Sequence, residues 1–309
     1  MELHAELSFP EPAPADGLCA RPRAVARPRF GPGPWAAAAR ALSLEITLGV
    51  LGAAAFAAHL TGIAMPVAWW LVLPATTWIV YSVDHLLDAR RSKERPRSLR
   101  HRFHRDHARP VGAAVAGLAA ATLVVASRLP GPVLVGGTAL AAAILAHLAR
   151  AQGPGSRYLP KELSAALLYT AGIWFAPLLL APSIEPGLWF VVGIHFIAAF
   201  LNLTTFALFE RREDAADRHP SIVGFWGARR ARRVVALLTG LGLVALVATA
   251  LAGRVADASS LAVLALLIVT PVTLLGREDF FAARLRYRIV GDGVFVLMGL
   301  PAALKALAW

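Results

Sequence analysis

Thiol chemistry is almost missing from this 309-residue chain, whose one cysteine is Cys19. That excludes an intramolecular disulfide and any metal centre built from cysteines. Charge is scarce as well: 16% of residues are charged against 57% hydrophobic, with a mean hydropathy of +0.60. Water-soluble domains carry about a quarter charged residues. Acids are the scarcer sign, 19 against 31 Lys and Arg, for a net charge of +12. Such a surplus can mark a nucleic-acid binder. Here the charges cluster between long apolar runs, the layout of a polytopic membrane protein, so no nucleic-acid partner is expected.

Residues 1–35 hold prolines, glycines and arginines but no apolar stretch. The pattern predicts a disordered basic tail without a secretory signal. Residues 36–309 read as one transmembrane helical domain. Nine apolar runs of about 18 or more residues are expected to span the bilayer, roughly 36–60, 66–88, 110–128, 131–149, 160–182, 186–209, 230–252, 257–275 and 287–307. The fold class is therefore all-α, a polytopic bundle of about nine transmembrane helices. Of the 31 Lys and Arg, 28 lie in the N-terminal segment through Arg40 and in the loops after even-numbered spans. The positive-inside bias puts the N-terminus in the cytoplasm and the C-terminus outside.

The second run ends in "YSVDHLLDARRSKERPRSLRHRFHRDH". Asp84 and Asp88 stand at i and i+4, on one helix face, where two like charges repel unless a cation neutralises them. The sixth run ends on the same side in "FALFERREDAADRHPS". Continued as helix, it puts Glu210, Asp214 and Asp217 on one face, with Glu213 and Asp217 on an adjacent one. Oxygen-rich sites of this kind suit Mg²⁺, which keeps several waters and bridges to substrate phosphates. Lys161 opens the fifth run, near enough to the border to reach a phosphate, and Tyr158 lies three residues earlier. The basic residues Arg90 and Arg91 follow directly on the first acidic pair.

These elements resemble the UbiA superfamily of intramembrane prenyltransferases, in their order, their spacing and their shared side. The family has nine helices and two Asp-rich motifs at the cytoplasmic ends of helices two and six. Asp84 and Asp88 match the last two acids of Asn-Asp-x-x-Asp-x-x-x-Asp, while Val80 and Tyr81 occupy the Asn-Asp positions. Glu210-x-x-x-Asp214 or Glu213-x-x-x-Asp217 matches the second motif, and "YLPK", Tyr158 to Lys161, matches a Tyr-x-x-Lys element at helix five. The resemblance implies Mg²⁺ held by the acidic pairs and a prenyl diphosphate donor bound through it. It also implies Lys161 and Arg90 or Arg91 on the phosphates, and a hydrophobic acceptor within the lipid bilayer. A cyclase of the same fold, working without an acceptor, is the near alternative. A transporter or non-catalytic membrane protein is the distant one.

Other signals carry less. His101, His104 and His107 sit in a basic loop, but His59, His147, His195 and His219 are scattered singly. The loop is therefore expected to face anionic lipid or diphosphate rather than hold metal. Asn202 is expected either to face the cavity, where it would help bind the substrate, or to bond a neighbouring helix. His195 is expected to be a packed, hydrogen-bonded histidine, and Asp292 to pair with Arg288, one turn earlier.

Overall fold

Each of the nine apolar runs carries a helix in the computed structural model, which describes residues 39, 41–91, 98–153, 160–217, 219–252 and 257–307. In chain order the helices are α1 (Leu44–Thr61), α2 (Val67–Arg91), a short α3 (Leu99–Asp106), α4 (Ala108–Ala126), α5 (Gly131–Gln152), α6 (Lys161–Leu180) and α7 (Leu188–Asp217). There follow a short α8 (Ile222–Trp226), α9 (Ala228–Ala252), α10 (Ala258–Gly276), a short α11 (Glu278–Ala282), α12 (Arg286–Leu297) and α13 (Leu300–Leu307). Among the described residues there is no strand. The expected basic tail, residues 1–35, lies outside them.

Seven of these helices are long and apolar enough to cross a membrane, and the pair Glu278–Leu297 with Leu300–Leu307 makes an eighth, bent by 41°. The run at 287–307 is therefore a broken helix. Pro301 has no N–H to give the carbonyl one turn back, and its ring crowds that carbonyl, so the helix breaks ahead of it. α2 is the remaining expected span. Its 25 residues mix three tryptophans, two threonines and Pro74 with polar last turns, which dilutes its apolar character. The first span also starts late: Ser43, with φ of 54°, is left-handed and interrupts the helix before Leu44.

The faces turned outward are apolar. Leu123, Val135, Leu237, Val244 and Leu251 are all exposed, and α4 and α5 bury few of their residues inside the protein. A water-soluble chain would not leave so much hydrocarbon bare, whereas lipid covers it at no cost. The interior is organised around α7, most of whose length is buried. At 1.5 Å per residue its 30 residues span about 45 Å, against about 30 Å of hydrocarbon, so the acidic last turns project beyond the apolar layer. Trp174, Phe56, Ile194, Leu201, Leu264 and Met298 fill the core around it.

Close helix approach depends on small residues. A Cβ at Gly52 of α1 would lie 2.5 Å from the Phe295 carbonyl oxygen and 2.6 Å from that of Val296. α1 and α12 therefore touch backbone to backbone. That contact places α12, with Arg288 and Asp292, against the cavity described next.

Candidate functional site

A cavity of about 580 Å³ runs through the bundle, lined from α1 to α7 and α12. Along α2 its wall changes from Trp69 and Leu73 to Asp84 and Asp88, a distance of about 28 Å on a helix. Along α7 it changes from Ala199 and Leu203 to Glu210, Glu213, Asp214 and Asp217. Both helices thus bring their acidic C-terminal ends to one mouth, with an apolar chamber behind. All six acids singled out in the sequence line this one space.

Asp88 is the most heavily engaged of them. It is buried and accepts a hydrogen bond from the Gln152 amide at 3.0 Å. Lys161 Nζ stands 3.8 Å from its Oδ2, His101 Nε2 also 3.8 Å, and His219 Nδ1 4.0 Å. Lys161 reaches this point because Pro160 ends the preceding loop and α6 begins at the lysine. Its neighbour Glu162, buried, accepts the backbone N–H of Ile222 at 2.9 Å. That bond ties the start of α6 to α8 and so holds the segment bearing His219. Burial also pushes the His101 imidazole down to a pKa of about 4, against the pull of the Asp88 charge, so the ring is neutral near pH 7.

Glu210 is differently occupied. Its Oε1 accepts from the Tyr287 hydroxyl at 2.5 Å and from Arg288 Nε at 2.7 Å, and the Arg288 guanidinium closes a salt bridge on it. Arg288 also lies over the Phe206 ring, 4.9 Å from its centroid. Glu210 is already neutralised, which separates it from Asp214, one turn on. Arg288 was expected to pair with Asp292. Instead it turns to Glu210, and the Oδ2 of buried Asp292 has no hydrogen-bond partner among the described residues. Arg100, from α3, pairs with Glu45 of α1 on the same side of the cavity.

Asn202 and Lys161 line the cavity as well. Arg90 does not: it is exposed and forms no part of the cavity wall. Two residues beyond Asp88, it points roughly 200° around the helix from it. Among the described residues the arginines at the cavity are Arg100 and Arg288, which come from sequence-distant helices. Tyr158 and the side chain of Arg91 lie outside the described residues. His195 is packed as expected, accepting the Trp174 indole N–H at Nδ1 at 2.7 Å.

The structure brings together four histidines, of which His101, His104 and His219 were not expected to hold metal and His85 was unread. Ring centroids of His104 and His85 are 5.1 Å apart, those of His85 and His101 5.6 Å, and those of His101 and His219 4.8 Å. Gln152, Glu162 and Arg100 were also unread. Each is unremarkable in its own segment, and only the fold shows where it points.

The donor set at the mouth fits Mg²⁺. With Glu210 committed to Arg288, carboxylates from Asp84, Asp88, Glu213, Asp214 and Asp217 remain on the wall, which are the hard oxygen ligands that ion takes. The chain matches no protein-family model and no curated protein sequence. Two solved structures of a UbiA homolog from Archaeoglobus fulgidus are similar to it. One is bound to GPP and Mg²⁺, with a TM-score of 0.58 and 14% identity over 86% of this chain and 99% of that one. The other is bound to DMAPP and Mg²⁺, with a TM-score of 0.57 and 14% identity over 85% and 98%. The likeness covers nearly the whole helical bundle, and at that identity it establishes the fold: this is a UbiA-type bundle.

Proposed function

We propose that this protein is a Mg²⁺-dependent intramembrane prenyltransferase that moves the prenyl group of a prenyl diphosphate to a hydrophobic acceptor. One observation carries the reading: acids from two helices about 120 residues apart line the mouth of a single cavity whose remaining wall is mostly apolar. The occupants of the similar structures, an isoprenoid diphosphate and Mg²⁺, match a chamber of this shape and polarity. Its volume of about 580 Å³ falls in the range of about 300–1,000 Å³ usual for small-molecule sites.

Asp84 and Asp88 on one side, and Asp214 with Glu213 on the other, would hold the metal, with Asp217 at the edge of the set beside His101 and His219. Bound there, Mg²⁺ would supply the positive charge that offsets the diphosphate. Lys161 adds a fixed cation beside Asp88. As the donor's C–O bond breaks, diphosphate leaves with the electron pair and the allylic carbon becomes electron-deficient. Charge held ready at the leaving oxygens favours that step. Trp69, Leu73, Leu140, Phe175 and Leu203 line the chamber that receives the isoprenoid tail and keep water from the carbon. The acceptor then supplies an electron pair to the carbon and loses a proton. Asn202, a polar group on the cavity wall, would orient either substrate. The concentration of Lys and Arg in the loops on the mouth's side supports a cytoplasmic mouth and an outside C-terminus.

The test is diphosphate release by the purified protein in lipid with Mg²⁺ and a panel of prenyl diphosphates. Asp88→Asn and Asp214→Asn should each slow release by about 100-fold or more. Release by either variant at the wild-type rate would sink the proposal. A hydrocarbon product formed without any acceptor would move the assignment to the cyclases.

A further inference from the structure

The mouth is not made of oxygen alone. Ligand atoms of His101, Asp217 and His219 all lie within 4.8 Å of one another. His101 belongs to the short helix α3 and His219 to the turn between α7 and α8, while Asp217 is the last residue of α7. Asp88 borders the same group, its Oδ2 3.8 Å from His101 Nε2 and 4.0 Å from His219 Nδ1. Around a tetrahedral ion with bonds of about 2.0–2.1 Å, ligand atoms sit about 3.3 Å apart. Contraction by up to about 1.5 Å therefore closes the set, and short, surface-side segments carry both imidazoles.

Simple charge pairing does not account for the arrangement. Asp88 already has the ammonium of Lys161 at 3.8 Å and the amide of Gln152 at 3.0 Å. Two largely buried imidazoles, with side chains only 14% and 4% exposed, then converge on it in addition. Mg²⁺ does not account for it either, because that ion selects oxygen and gains little from nitrogen. Two imidazoles with a carboxylate are the donors of Zn²⁺ and its first-row neighbours.

We propose that His101, Asp217 and His219 form a binding site for a divalent transition ion of the Zn²⁺ class, bordered by Asp88 and set beside the oxygen-only positions at the cavity mouth. The site closes the gap between α3 and the end of α7, joining segments more than 110 residues apart. It does not depend on prenyl transfer, and its test needs no turnover.

Tag-free full-length protein in detergent micelles, stripped of metal and supplied with excess Mg²⁺ to fill the oxygen sites, is titrated with Zn²⁺ and separately with Co²⁺. The wild type should bind one equivalent of Zn²⁺, and Co²⁺ should develop the strong visible bands of a low-coordinate site containing nitrogen. His101→Ala and His219→Ala should each weaken Zn²⁺ binding at least about tenfold. His107→Ala, on the exposed side of the same basic segment, should bind like wild type. The proposal is overturned if wild type binds no Zn²⁺ in the presence of Mg²⁺, or if both cavity-side variants keep wild-type affinity. It is equally overturned if bound Co²⁺ gives the weak bands of an octahedral all-oxygen shell, a result that requires no variant to fold. Diphosphate release is measured apart from these titrations, so failure of the metal site and failure of the prenyltransferase reading remain separate outcomes.

Discussion

Glu210 sits among the acids of the mouth yet is bound as a structural group, and that distinction can be measured. Its Oε1 takes hydrogen bonds from Tyr287 at 2.5 Å and Arg288 at 2.7 Å, and the two ionic side chains are only 21% and 16% exposed. Breaking a buried pair by removing one partner costs about 3–5 kcal/mol, chiefly because the other charge is left uncompensated. Partial exposure, and Asp292 one turn along α12, reduce this to about 2–3 kcal/mol for Glu210→Gln. At about 2–4 °C per kcal/mol for a chain of this size, melting should fall by roughly 5–10 °C. Arg288→Gln should lose a comparable amount. The double variant should lose less than the sum, by about 1–3 kcal/mol of coupling. Thermal melts in detergent, followed by tryptophan fluorescence and repeated across Mg²⁺ concentrations, read both quantities. If Glu210→Gln melts like wild type while its Mg²⁺ requirement rises, Glu210 is a metal ligand and the division of the mouth given above is wrong.

Two further perturbations probe the scaffold. Gly52→Ala places a methyl 2.5–2.9 Å from backbone atoms of Phe295 and Val296, which have no rotamer to yield. It should cost about 1–3 kcal/mol, whereas Gly112→Ala, with nothing within 4 Å, should be neutral or slightly stabilising; equal melts for the two would refute backbone contact between α1 and α12. Glu162→Ala strips the buried Ile222 N–H of its acceptor, at a cost of about 1–3 kcal/mol. Hydrogen exchange in 219–226 should rise in that variant and return toward wild type in Glu162→Gln, which keeps a carbonyl acceptor; unchanged exchange in Glu162→Ala would remove Glu162 from the positioning of His219.

The fold and the first half of the site could be read from local pattern. Nine apolar runs become helices because hydropathy and length are properties of one segment at a time. The i, i+4 spacing of Asp84 and Asp88 fixes their shared face wherever the helix packs, and charge asymmetry puts the two acidic ends on one side. Pairings between segments were not legible. Glu210 and Arg288 are 78 residues apart, and Arg100 and Glu45 are 55 apart. Nothing in either partner's own segment announces the other. Asp292 illustrates the limit: Arg288 lies at i−4, the right spacing for a pair, yet Glu210 from α7 competes successfully for the guanidinium. Arg90 was nominated because it follows Asp88 in the chain, although helical geometry already turns it away. The histidines looked scattered because His101 and His219 are 118 residues apart, and only their convergence on Asp88 makes them neighbours.

Binding, rather than turnover, tests the central claim most directly. A non-ionising analogue of geranyl diphosphate, titrated calorimetrically into the purified protein, should bind only when Mg²⁺ is present. Asp84→Asn on α2 and Asp214→Asn on α7 should each abolish that Mg²⁺-dependent binding, because the two helices serve one mouth. Undiminished binding in either variant, or binding indifferent to Mg²⁺, would contradict the account.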